Sequence, residues 1–176
     1  MNMLSSLFTS KTRVKLLIKL FLNPDVSSYL RELASEFELS PNALKEELDG
    51  LSQAGYLNKE KKGRYIFYNA NRSHPFFPEI SSIVRKHMGI DGLVEIIVNH
   101  LGTVLEVYIL DDYANGVDSG LIDVLIVGDV DPEKVHTLCV NAEKHLKRRV
   151  RTLILTETQF EDSRDVIMKR PHWKIF

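Results

Sequence analysis

Only three residues, Glu38-Leu39-Ser40, separate the last apolar position of one amphipathic pattern, Phe37, from a proline that opens the next. Ser40-Pro41 is a helix start: a serine hydroxyl can cap a free amide, and proline at the first helical position loses no N–H bond. Upstream, Leu30, Leu33, Ala34 and Phe37 recur at helical spacing, with Ser28 as the expected N-cap. Downstream, Ala43, Leu44, Leu48 and Leu51 carry an inward stripe to about Gln53, and Gly55 supplies a left-handed stop. Two helices joined by so short a turn cannot run on as one. They cross, as in a helix-turn-helix.

The flanking segments narrow the choice further. Lys11–Leu22 places Val14, Leu16, Leu17, Leu20 and Phe21 on one helical face and Lys11, Arg13, Lys15 and Lys19 around it. Asn23-Pro24 ends that helix, because the residue before a proline is pushed out of the helical region. After Gly55, Tyr56–Asn58 and Arg64–Asn69 read as strands joined by the charged turn Lys59–Gly63. Tyr65, Phe67 and Asn69 alternate with Ile66 and Tyr68, as a two-sided hairpin requires. A helix, a helix-turn-helix and a basic hairpin in that order predict a winged helix-turn-helix.

The stretch YLRELASEFELSPNALKEELDGLSQAGYLNKEKKGRYIFYNANRSHPFFPEI, within residues 11–88, resembles the ArsR-like winged-helix regulators of transcription. The resemblance implies double-stranded DNA as partner, with the third helix in the major groove and the wing on the neighbouring backbone. Carried over by position, the groove-facing residues are Ser40, Asn42, Ala43, Lys45 and Glu46. The phosphate contacts are Lys59, Lys61, Lys62 and Arg64. The chemistry of these side chains fits those roles, since asparagine can pair bidentately with adenine and lysine can reach guanine or a phosphate. Glu46, Glu47 and Asp49 make the helix acidic past its first turn, which lowers non-specific affinity. Metal-sensing members of the group need a cysteine pair or a His/Asp cluster. This half has no cysteine and only His74 and His87, so no metal is expected.

Charge divides the chain as the patterns do. The net charge of −1 hides 13 Lys+Arg against 9 Asp+Glu in residues 1–88, and 10 against 15 in residues 89–176. A basic first half and an acidic second half suit different partners. No apolar run is long enough to span a bilayer. Met1–Phe8 has neither a basic start nor an adequate apolar stretch for a signal peptide. A cytoplasmic protein is expected, with the single Cys139 as a buried structural thiol.

Pro75-Phe76-Phe77-Pro78 leads into a further helix with Ile80, Ile83, Val84 and Met88 on one side. In winged-helix regulators such a helix packs against its two-fold mate, so a homodimer is expected; Phe76 and Phe77 plugging a joint between domains fits equally. Gly89-Ile90-Asp91-Gly92 marks a boundary. The expected organisation is a winged helix over 1–73, a linker helix over 74–90 and a second domain over 91–176. In that domain, helix Leu93–Leu101 (with Ile96 and Ile97 inward) precedes strand Val104–Leu110 and strand Leu121–Val127. Helix Pro132–Lys147, strand Val150–Thr156 and helix Glu157–Ile167 follow. Alternating strands and helices predict a layered α/β domain, and the chain as a whole is α+β.

The segment VLEVYILDDYANGVDSGLIDVLIVGDVD resembles the minimal nucleotidyltransferases, over roughly residues 91–170. That fold implies a strand ending in Gly-Ser to cradle a triphosphate, then Asp-x-Asp to hold Mg²⁺. Here Asp111-Asp112 stand in place of Gly-Ser, and Leu121 replaces the first metal ligand, leaving Asp123. The third strand offers no carboxylate. One carboxylate cannot hold two Mg²⁺ ions, which need oxygen-rich shells. An inactive domain without cofactor is expected, with Asp111, Asp112 and Asp118 as solvated loop residues and Asp123 as a remnant or local cap. The same four aspartates could instead form a new cation or amine site. The histidines are scattered: His136 and His145 lie off same-face helical spacing. Three readings stay open. The chain is a DNA-binding regulator whose second domain senses a small-molecule effector or a protein partner, a nucleotidyltransferase with a rearranged acidic site, or an antitoxin-like protein that binds a partner.

Overall fold

The computed structural model describes residues 10–100 and 102–176, without the side chains of 96, 98–100 and 145. Expectations placed on Met1–Phe8, Ile96, Leu101 and His145 lie outside the described residues and side chains. The chain divides into two compact units, up to His87 and from Met88 onward.

In the first unit, α1 (Lys11–Phe21) opens on Ser10, whose hydroxyl accepts the Arg13 amide at 3.1 Å. Its stripe of Val14, Leu16, Leu17, Leu20 and Phe21 is buried. Lys19 is buried with it, its ammonium 2.8 Å from Glu36 on the next helix. A short strand, β1 (Ser28–Tyr29), runs straight into α2 (Leu30–Phe37). Ser28, expected to cap this helix, instead pairs with Tyr68 of the hairpin, and Tyr29 takes the cap position. Pairing with β3 extends the strand through Tyr29, so the helix starts one residue later than expected.

The turn is the expected three residues. Glu38 ends α2 in the left-handed conformation (φ 55°), and Ser40 caps α3 (Pro41–Gln53) by accepting the Ala43 amide at 3.4 Å. Leu44, Leu48 and Leu51 are buried, whereas Ala43, expected inward, is exposed. Gly55 follows with φ 83°. The hairpin consists of β2 (Leu57–Lys62) and β3 (Tyr65–Ala70), with Lys62 opposite Tyr65. Lys59–Lys62, expected as turn, is therefore strand, and the turn shrinks to Gly63-Arg64. A two-residue hairpin turn needs a left-handed position, which Gly63 provides at φ 61°. The sheet order is β1-β3-β2. Helix, helix-turn-helix and three-stranded wing make this unit a winged helix-turn-helix. In α4 (Phe77–Met88), the Phe77 ring lies 5.9 Å from that of Phe21, and the Ser81 hydroxyl donates to the Phe21 carbonyl at 3.0 Å.

The second unit is built in the order α5 (Ile90–His100), β4 (Gly102–Leu110), α6 (Asp111–Ala114), β5 (Leu121–Val130), α7 (Pro132–Leu146), β6 (Arg149–Leu155), α8 (Glu157–Ile167) and β7 (His172–Lys174). Its sheet order is β6-β5-β4-β7; β5 and β6 are parallel, the other pairs antiparallel. One face carries Tyr108, Leu110, Leu125 and Val127 against Phe160 and Ile167 of α8. The alternate residues Val107, Ile109, Ile122, Val124 and Ile126 are buried on the other face, where α5 meets β4 and α7 meets β6. Cys139 is buried in α7, and burial pushes its thiol up to about 11.

Candidate nucleic-acid interface and the acidic site

The opening turns of α3 expose Asn42, Ala43, Lys45 and Glu46, while the hydroxyl of Ser40 is committed to its cap. The three acids of this helix part company. Glu47 turns to α1, accepting the Ser10 hydroxyl at 2.5 Å and the Arg13 Nε at 2.9 Å. Asp49 turns to the wing, where a hydrogen bond from Lys59 at 2.7 Å holds its carboxyl below the usual range. Glu46 is left exposed without an ion pair among the described residues.

Strand alternation sorts the four basic wing residues. Lys59 and Lys61 lie opposite Tyr68 and Ile66, on the side that meets Asp49 of α3. Lys62 lies on the other face, 3.0 Å from Glu60 and over the Phe67 ring at 5.5 Å. Arg64 sits in the turn with its guanidinium 5.1 Å from the Tyr65 ring. Sequence patterns gave no reason to join Tyr29 and Arg31 to this set. The fold does so, because β1 lies beside β3 and brings the Tyr29 ring, tilted, to 4.7 Å from that of Tyr65. Tyr29, Arg31, Lys45, Arg64 and Tyr65 then line a single open cleft of about 480 Å³.

In the second unit the acidic residues are brought near arginines. Asp111, directly after β4 and first in α6, takes the left-handed conformation (φ 55°) and is bound by Arg170, with Nε at 3.0 Å from Oδ1. Asp123 is buried in β5 and receives Arg151 Nε at 2.5 Å. Asp118 takes two hydrogen bonds from Arg148, at 3.0 and 2.7 Å, and one from the Tyr113 hydroxyl. Burial opposes its charge, yet these donors more than offset that and hold its carboxyl below the usual range. The reading of Asp111 as a solvated loop residue is thereby corrected, since it is half-buried and anchored to Arg170; Asp118 is exposed in a loop, as expected, but is tied to Arg148. The expected capping role of Asp123 gives way too, because its carboxylate is taken by the Arg151 side chain. Asp112 is exposed, and Leu121, half-buried, starts β5 opposite Arg149. Among the described residues no three His, Cys, Asp or Glu side chains converge in a manner that could hold a metal ion. No helix among them is long and apolar enough to cross a membrane.

No protein-family model matches the chain, and neither does any curated protein. Solved structures similar to it include reduced HlyU from Vibrio cholerae, 24% identical over 49% of this chain and 83% of that one (TM-score 0.39). YusO from Bacillus subtilis is 19% identical over 48% of this chain and 61% of that one (TM-score 0.36). The transcriptional regulator BldR from Sulfolobus solfataricus is 13% identical over 58% and 70% (TM-score 0.38).

Proposed function

We propose that the protein is an ArsR-like, dimeric, DNA-binding transcriptional regulator, and that its second unit is an inactive nucleotidyltransferase-like domain serving as sensor or interaction surface. One observation carries the DNA-binding reading. Two of the three acids of α3 are drawn away from its exposed start, Glu47 by Ser10 and Arg13 and Asp49 by Lys59, which leaves Glu46 alone outward there. Asn42, Lys45 and Glu46 then stand outward beside a basic wing, a surface that can read base edges while backbone contacts hold the register.

The second unit's proposed inactivity rests on its charges. A triphosphate cradle needs backbone amides and open carboxylates for Mg²⁺. Here Asp111 and Asp123 are each occupied by an arginine, and position 121 is a leucine. The left-handed backbone at Asp111 is the conformation a glycine takes most readily, which supports descent from a Gly-Ser cradle.

Selection from a pool of random duplexes tests the reading directly, and enrichment of one site is the expected outcome. On that site Asn42→Ala should cost about 1–3 kcal/mol while hardly changing affinity for random duplex. A pool that yields no enriched site at any salt concentration rejects base-specific recognition.

A further inference from the structure

We infer that the cleft between α2 and the wing is a phosphate-binding site that clasps one backbone phosphodiester of DNA, with Arg31 as its principal contact. The inference rests on the DNA-binding reading and adds to it a residue and a site that the helix and wing assignments leave out.

The arginines of the cleft differ from most others. Arg13, Arg72, Arg148, Arg149, Arg151, Arg164 and Arg170 each lie against a carboxylate. Arg31, Lys45 and Arg64 come from three separate elements, line the same cleft, and have no ion-pair partner among the described residues. The nearest acid by helical spacing, Asp49, one turn beyond Lys45, gives its oxygen to Lys59 instead. Three cations without ion-pair partners lining one open cleft together favour an anion there.

The remaining lining suits a phosphodiester. Tyr29 and Tyr65, their rings 4.7 Å apart, present phenolic groups that can donate to phosphate oxygens. Leu30-Arg31 begin α2, whose first-turn amides favour an anion, and the Glu32 carboxylate of that turn is folded back onto the Tyr29 amide at 3.3 Å. The exposed Ile66 (47%) offers an apolar contact for a deoxyribose at the cleft's edge. Lys45 belongs both to this cleft and to the exposed start of α3, so a phosphate held here lies beside the bases that Asn42 would reach. The site fixes register and reads no sequence.

Single neutral methylphosphonates placed along the selected duplex, combined with Arg31→Gln, test this. Arg31 is exposed, so the variant should fold, and circular dichroism checks that it does. Arg31→Gln should weaken selected and random duplexes alike by roughly ten- to a hundred-fold, and should lower the slope of log K against log salt by about 1. One methylphosphonate position should weaken the wild type by a similar factor and cost the variant nothing more. Unchanged affinity and slope for Arg31→Gln, with loss for Lys61→Ala, overturns the cleft site and leaves the DNA-binding reading standing. A wild type that binds no duplex fails at the earlier step. Inorganic phosphate provides the last arm: if it occupies the cleft at micromolar concentration and displaces duplex from the wild type, free phosphate replaces the DNA backbone as ligand.

Discussion

Side-chain direction decides which basic residues of the wing can touch a ligand. Lys61 and Lys62 are neighbours in sequence, yet strand alternation sends them to opposite faces, and Lys62 is further occupied by Glu60 and Phe67. Lys61→Ala should therefore lower the salt slope of duplex binding by roughly 1, whereas Lys62→Ala should leave it nearly unchanged. Equal effects would mean that DNA contacts both faces of the wing. The anchored aspartates of the second unit make a different statement, about stability. Asp118 is held below the usual aspartate range, so it favours the folded state at neutral pH, and that contribution is lost as pH falls through its folded-state value. Arg148 stays charged throughout. Asp118→Asn should flatten the stability decline below about pH 4, measured by urea unfolding at several pH values. Arg148→Met should cost about 1–3 kcal/mol at neutral pH, because the carboxylate then loses its charged donors. A pH dependence unchanged by Asp118→Asn would deny this aspartate any part in acid unfolding.

Among the elements, those that declare themselves locally were legible from sequence and those defined by a partner were not. The ends of α3 could be read because Ser40-Pro41 and Gly55 are chemical signals, and α7 because Val135, Leu138, Cys139 and Ala142 recur at helical spacing. β1 is two residues long and exists only because β3 lies beside it; β7, of three residues, exists because it completes the edge of β4. The same distinction governs the sites. Asn42 and Lys45 belong to a readable helix, but nothing local ties Arg31 to Arg64, or Asp111 to Arg170, which is 59 positions away. Close backbone approach is a further property that only the folded sheet exposes. At Gly128 the chain takes φ 151°, and an added Cβ would stand 2.1 Å from the Thr103 carbonyl oxygen, next to a register shift between Val104 and Glu106. Backbone on both sides cannot yield as a flexible side chain can. Gly128→Ala should destabilise the second unit by about 1–3 kcal/mol in urea unfolding, and a neutral result would show that the β4–β5 pairing relaxes there freely.

At the scale of the whole molecule, the two units differ in how they treat their charges. In the basic first unit Arg31, Lys45 and Arg64 line one cleft without ion-pair partners among the described residues, which favours an external anion. The acidic second unit does the reverse, pairing Asp111, Asp118 and Asp123 internally with Arg170, Arg148 and Arg151. Under the proposed nucleotidyltransferase-like ancestry, such pairing replaces bound ions by structural ion pairs and leaves neither Asp111 nor Asp123 open to bind Mg²⁺. Nucleotidyl transfer is accordingly expected to be absent: incubation with ATP or GTP and Mg²⁺ should release no pyrophosphate. Asp123→Asn should leave duplex affinity intact, since the change lies in the unit that keeps its charges to itself. It should lower thermal stability modestly, because Arg151 is largely exposed and loses little by losing its partner. Pyrophosphate release that disappears in Asp123→Asn would overturn the inactive reading and make the second unit an enzyme with a rearranged acidic site.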